Sequence, residues 1–159
     1  EVCANFSPLW CWYDENIQRT DPYLEPERRK VQYPIKNMIK AGATVTFGSD
    51  WPVTTYRPLD GIEVAVTRKE PGNQDRSQEA FCQDQCISVE EAVLAYTISA
   101  AYVNHQEKIV GSLEEGKKAD FVILDKNIFS CEAWEIHNAK VKMTILNGVV
   151  VYNSMNDGI

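Results

Sequence analysis

The apolar positions of this chain change period along its length. From Pro34, the residues Ile35, Met38 and Ile39 recur at three- and four-residue spacing, which predicts a short helix with Gly42 at its C-cap. Thr44 to Phe47 then reads as a short buried strand that stops at Gly48-Ser49-Asp50. Upstream, Glu1 to Pro8 reads as a strand halted by its proline, and Glu25-Pro26-Glu27-Arg28 opens a helix with proline in the first turn. Leu59 to Thr67 predicts a helix, although its β-branched residues also suit a strand. The clearest helix opens on the capping box Ser88-Val-Glu-Glu91 and carries Val89, Ala92, Val93, Tyr96 and Ala100 on one face. Pro71 to Cys86, before it, is polar and predicts a surface excursion.

After Asn104 the pattern turns to short strands and tight turns. Ala119 to Asp125 is an apolar strand bounded by acids. Val141 to Leu146 and Val149 to Tyr152 flank Asn147-Gly148, a strong hairpin signal. The chain therefore predicts an α/β unit over residues 1–104 and a small β unit over residues 105–159.

The 159 residues suffice for one domain or parts of two, and 44% hydrophobic with 25% charged residues is an ordinary globular composition. A net charge of −7 with dispersed Lys and Arg argues against nucleic acid as a partner. No apolar run is long enough to span a bilayer, and no secretory leader pattern opens the chain. Five cysteines without framework spacing favour free thiols in a reducing compartment, hence a cytoplasmic location. Cys82 and Cys86 could share a helical face, but no second Cys/His pair accompanies them.

Asp50 is the candidate for chemistry. It sits where a strand leaves the sheet, and catalytic groups of α/β barrels occupy the loops beyond the C-terminal strand ends. On spacing alone the alternative is an aspartate that caps the strand end in an Asx-turn. The following Trp51-Pro52 predicts an extended Trp51. The aromatic run Leu9-Trp-Cys-Trp-Tyr13 is either a packed plug or the wall of a substrate pocket.

Several pieces in this order resemble one family. They are Tyr33-Pro34, Ala41-Gly42, Gly48-Ser-Asp-Trp-Pro-Val53, Arg57-Pro-Leu59, Glu90-Glu-Ala92, Gly111-Ser-Leu-Glu-Glu-Gly-Lys-Lys-Ala-Asp120 and Asn147-Gly148. The chain resembles the C-terminal part of the metal-dependent amidohydrolase superfamily, in the amidohydrolase-3 branch that includes N-substituted formamide deformylases. The resemblance implies the C-terminal part of a (β/α)8 TIM barrel plus the C-terminal strands of a composite β-sandwich. Glu1 to Pro8 would be the seventh barrel strand and Thr44 to Phe47 the eighth.

By the same resemblance, Asp50 is the strand-8 aspartate that contacts the metal. There it takes a proton from the metal-bound water and returns it to the leaving nitrogen. The implied cofactor is a divalent metal, zinc by preference, and the implied substrate is a small molecule with an amide-type C–N bond.

The family's His-x-His pair and its further histidines have no counterpart here. The only histidines, His105 and His137, map to positions without a catalytic role and are expected at the surface. A full barrel takes about 250 residues and a zinc site three or four protein ligands, so this chain alone is expected to be inactive. The alternative is a non-catalytic module. Either way, unpaired edges on the strands at Glu1 and Thr44 predict self-association. A metal site of the chain's own, from Asp50 with Cys11 or with Cys82 and Cys86, is the remaining reading. Trp10, Trp12 and Trp51 suggest an apolar or aromatic substrate substituent.

Overall fold

The computed structural model describes residues 2–73, 75 and 77–154. Strand β1 (Cys3–Phe6) and strand β2 (Thr44–Phe47) pair in parallel, with Cys3 opposite Thr44 and Phe6 opposite Phe47. The Gly48 amide donates to the Phe6 carbonyl at 3.0 Å and extends the pairing to the point where both strands end. Parallel strands need a crossover. It is made here by helices α1 (Glu15–Thr20), α2 (Pro26–Arg29) and α3 (Ile35–Lys40). Gly42, at φ 80°, takes the left-handed turn between α3 and β2.

Three further helices follow: α4 (Pro58–Thr67), α5 (Val89–Tyr96) and α6 (Ile98–Val103). Helix α5 opens on the expected reciprocal box, Ser88 Oγ accepting from the Glu91 amide and Glu91 Oε2 from the Ser88 amide. The single long helix read from the sequence is broken, however. Thr97 lies at φ −118°, ψ −94°, and its hydroxyl bonds back to the Val93 carbonyl at 2.7 Å. A β-branched threonine with that alternative bond is a poor helix interior residue.

The antiparallel sheet holds β3 (Phe121–Leu124), β4 (Val141–Leu146) and β5 (Val149–Asn153), with β4 central. Asn147 at φ 51° and Gly148 at φ 77° form its hairpin turn, as the dipeptide predicts. Between β3 and β4 the chain folds a 3-10 turn, Ala133–Asn138, that packs against α4. Among the described residues no helix is long and apolar enough to cross a membrane.

The core joins these pieces. Val45 and Phe47 of β2, Ile62, Val64 and Ala65 of α4, and Ala92 and Ala95 of α5 are buried together with Ile35 and Ile136. Tyr96 packs edge-on against Phe47, ring centroids 5.3 Å apart, and its buried hydroxyl has no hydrogen-bond partner among the described residues. Gly61 is what admits that ring. A Cβ at residue 61 would collide with the Tyr96 hydroxyl and lie 3.1 Å from its Cζ. Gly61→Ala is expected to lose up to about 2 kcal/mol, the overpacking of about 1–3 kcal/mol being offset in part by the roughly 1 kcal/mol gain in helix propensity. Pairing it with Tyr96→Phe should restore part of the loss in thermal melts. An additive double mutant would show that the two groups do not meet.

Among the described residues three charged side chains are buried, Asp60, Glu63 and Arg68, and the last two lie deepest with no warning from the sequence pattern. Arg68 is fully buried at φ 55° just past α4 and donates to the carbonyls of Phe81, Tyr33 and Gln32 at 2.8, 3.3 and 2.9 Å. It thereby pins the segment before α5, which is anchored rather than a free surface excursion. Gln85, also buried, accepts from the Asn37 amide at 3.2 Å.

Glu63 is the other of these two. Its Oε1 accepts from the Gly72 amide at 2.8 Å, and its Oε2 accepts from the His137 amide at 2.8 Å and lies 2.7 Å from His137 Nδ1. His137 is therefore not the surface residue the sequence suggests. Its side chain is 18% exposed and joins α4 to the 3-10 turn. Arg57 strengthens the joint by donating to the His137 carbonyl at 2.7 Å. His105, by contrast, is exposed as expected, at φ 57° just past the end of α6.

Candidate functional site at the strand ends

Because β1 and β2 are parallel, the loops that follow them leave the sheet on the same side. After β1, Pro8–Trp10 forms a 3-10 turn closed by the Trp10 amide on the Ser7 carbonyl at 3.0 Å. Leu9 and Cys11 point into the core, and Trp12 packs partly against it. The aromatic run thus plugs the core with Leu9 and Cys11, in line with the first of its two readings, and leaves Trp10 outside that cluster.

After β2, Asp50 adopts φ 59°, a left-handed conformation that aspartate tolerates better than most residues. The Val53 amide closes a turn on the Asp50 carbonyl at 2.8 Å. The Trp51-Pro52 bond inside it is cis. Trp51 lies within this turn and is 66% exposed. Ser49 holds both flanks of this loop: its Oγ accepts from the Trp51 amide at 3.2 Å and its carbonyl from the Thr54 hydroxyl.

The two loops meet at one contact. The Trp10 indole Nε1–H donates to Asp50 Oδ2 at 3.2 Å, while Oδ1 accepts from none of the described residues. Asp50 is itself exposed. Trp10 also borders a cleft of about 330 Å³, lined with it by Trp12, Val53 and Thr54; Asp50 is not among the lining residues. Trp10 and Trp12 come together there. Trp51 does not line the cleft.

Neither arrangement proposed for a metal from this chain's own residues is assembled. Among the described residues no three His, Cys, Asp or Glu side chains stand close enough to hold an ion. Asp50 offers one carboxylate donor, short of the three or four that zinc requires. Cys11 is buried, and that burial pushes its thiol up to about 12, opposed by the nearby Arg68 guanidinium. Burial also raises the Cys86 thiol. Cys82 and Cys86 flank a 3-10 turn rather than sharing an α-helical face, and Cys82 Sγ donates to the Arg29 carbonyl at 3.1 Å. Thiols held in the protonated form are poor metal ligands.

A second cavity, about 430 Å³, lies between α4, the segment after it and the 3-10 turn, with Glu63, Val66, Cys86 and Trp134 in its walls. It is larger, but the strand-end loops take no part in it, and Asp50 lines neither cavity.

Residues 2–152 match the family model described as the Amidohydrolase family. YtcJ of Bacillus subtilis is 33% identical over 129 residues, covering 81% of this chain and 24% of that protein. The N-substituted formamide deformylase of Arthrobacter pascens is 30% identical over 120 residues, 76% of this chain and 21% of the deformylase. The chain thus spans about a quarter of the length of these relatives. Among solved structures, an uncharacterised metal-dependent hydrolase from Pyrococcus horikoshii aligns over 84% of this chain and 26% of its own, with TM-score 0.61 and 22% identity.

Proposed function

Because the chain belongs to the amidohydrolase family, in its amidohydrolase-3 branch, we propose that the protein carrying it hydrolyses a non-peptide, amide-type C–N bond with the help of a divalent metal. Residues 1–104 are read as the closing part of a TIM barrel, with β1 and β2 as its last two strands. Residues 105–159 are read as the C-terminal share of a β-sandwich. The observation that carries the reading is the position of Asp50: beyond the C-terminal end of β2, beside the loop from β1, with one carboxylate oxygen fixed and the other open.

The metal, proposed to be zinc, supplies a polarised water when bound. The chain's own contribution is Asp50, whose Oδ1 takes up a proton as the nucleophile attacks and gives it to the departing nitrogen as the C–N bond breaks. General acid–base help of that kind is worth about 10²–10⁴-fold. A formamide bearing a substituent on nitrogen is the first substrate to try, since it is what the Arthrobacter pascens relative is named for. The proposed location is cytoplasmic, consistent with free thiols at all five cysteines.

With a single donor at Asp50, the 159-residue chain alone is proposed to be inactive. Its purified form should release no amine from N-substituted formamides, whereas the full-length protein loaded with zinc should do so. Turnover by the isolated chain would overturn this reading. Each strand of the parallel pair has one neighbour among the described residues, and Val149, Val150 and Val151 of β5 are exposed. The isolated chain should therefore elute above 18.1 kDa in size-exclusion chromatography. A strictly monomeric profile would contradict the open edges.

A further inference from the structure

We propose that Trp10 serves the reaction twice: its indole N–H positions the Asp50 carboxylate, and its ring walls a subsite for an uncharged, apolar substituent of the substrate. The inference rests on the reading of Asp50 given above and adds to it a positioning residue and a substrate class.

The first role follows from geometry. A carboxylate in a left-handed backbone conformation on an exposed loop is free to rotate about its side-chain bonds. Here one rotamer is selected, because the 3.2 Å contact from Trp10 Nε1 ties down Oδ2. Trp10 is in turn held by the 3-10 turn behind it, where Leu9 and Pro8 are buried. The indole is a donor only, so it cannot compete with Asp50 for a proton. What remains is Oδ1, presented in one direction. Misplacement of a reacting group by about 1 Å costs about 10²-fold in rate, which sets the scale of the contribution.

The second role follows from what lines the cleft. Leu9, Trp10, Trp12, Val53 and Pro71 make its surface largely apolar. A volume of about 330 Å³ falls at the lower end of small-ligand sites. Among the described residues its charged lining side chains are Asp14 and Glu70. Asp14 is fixed as the N-cap of α1, accepting from the Ile17 amide at 2.8 Å. An anionic substituent would thus lose its hydration to face two carboxylates, whereas an alkyl or aryl group meets two indoles. A substituent seated on the Trp10 ring presses on the side chain that aims Asp50, so binding and positioning are coupled through one residue.

The test uses full-length protein with its tryptophans labelled with ¹⁵N, the indole resonances of Trp10 and Trp12 being assigned by Trp10→Phe and Trp12→Phe. Asp50→Ala should move the Trp10 indole resonance and leave that of Trp12 in place. N-(2-phenylethyl)formamide should move both, and the same probe bearing a para-carboxylate should move neither. In turnover of the neutral probe, Trp10→Phe keeps the ring and loses the donor, so kcat should fall about 10–100-fold with KM nearly constant. Trp12→Ala should show the opposite split, raising KM more than it lowers kcat.

A Trp10 resonance indifferent to Asp50→Ala, or a Trp10→Phe enzyme with full kcat, overturns the positioning role. A carboxylate probe that binds as well as the neutral one overturns the subsite. If Asp50→Asn is inactive while Trp10→Phe is fully active, only this inference fails. If Asp50→Asn is itself active, the catalytic reading fails. Should the formamide not be hydrolysed, the resonance shifts still decide.

Discussion

Asp50→Asn in the full-length protein is expected to lower turnover about 10²–10⁴-fold, the range of a lost general acid–base group, while the fold survives. The substitution keeps size and shape. Asparagine is among the few residues that accept the φ of 59° found at this position. Its amide oxygen can still accept the Trp10 indole, so the loop contact at 3.2 Å has a replacement. What disappears is the ability to take and return a proton. The side chain is exposed in this chain, and its loss removes no core packing. Melting temperature and circular dichroism should therefore stay close to wild type while product release stops. A variant keeping more than about a tenth of the wild-type rate, set against that 10²–10⁴-fold expectation, would remove Asp50 from the mechanism. It would then be a loop residue that closes a turn, the alternative its spacing also allows.

Glu63→Ala should have the largest effect on stability, about 3–5 kcal/mol, because several hydrogen bonds to one buried carboxylate are lost together. The carboxylate is 2% exposed and holds the Gly72 amide together with the amide and Nδ1 of His137. Deleting it orphans these donors at once, and each buried donor left unpaired costs about 1–3 kcal/mol. The damage should concentrate where α4 meets the Ala133–Asn138 turn. A double-mutant cycle with His137→Ala checks the assignment: the two losses should be strongly non-additive, because either change alone breaks the same contact. Additive losses, or a Glu63→Ala melt within a degree or two of wild type, would show that the packing of Ile136 holds the joint without them.

These two residues mark the limits of what the sequence reveals. The place of Asp50 just beyond a strand end was legible because chain order carries its signal: a strand, a small residue, a hydroxyl, then a carboxylate. The Asn147-Gly148 hairpin and the Ser88 box were legible for the same reason, since each encodes its hydrogen bonds within a few residues. The break at Thr97 was not, because apolar spacing continues undisturbed from Tyr96 to Ala100 while the backbone does not. Glu63 and Arg68, near the end of one helix, carry no local signal of their burial. Their partners, His137 and the carbonyls of Gln32 and Tyr33, come from distant parts of the chain that no local pattern connects. The indole contact to Asp50 is of this kind too. Trp10 could be singled out as aromatic, but its donor role depends on the parallel pairing that brings the two loops together.

That pairing has a consequence for how the molecule is made. The β4–β5 hairpin closes through a two-residue turn, and such hairpins form in about 1–10 μs. The β1–β2 pair joins Cys3 to Thr44, so three helices must be traversed before the first ladder bond forms. Loop-closure entropy is spent there in advance of any contact that offsets it. In refolding followed by pulse-labelled amide exchange, the Ile145 and Val150 amides should gain protection before those of Val45 and Phe47. The Trp10–Asp50 contact, which depends on the slow pair, should be the last to form.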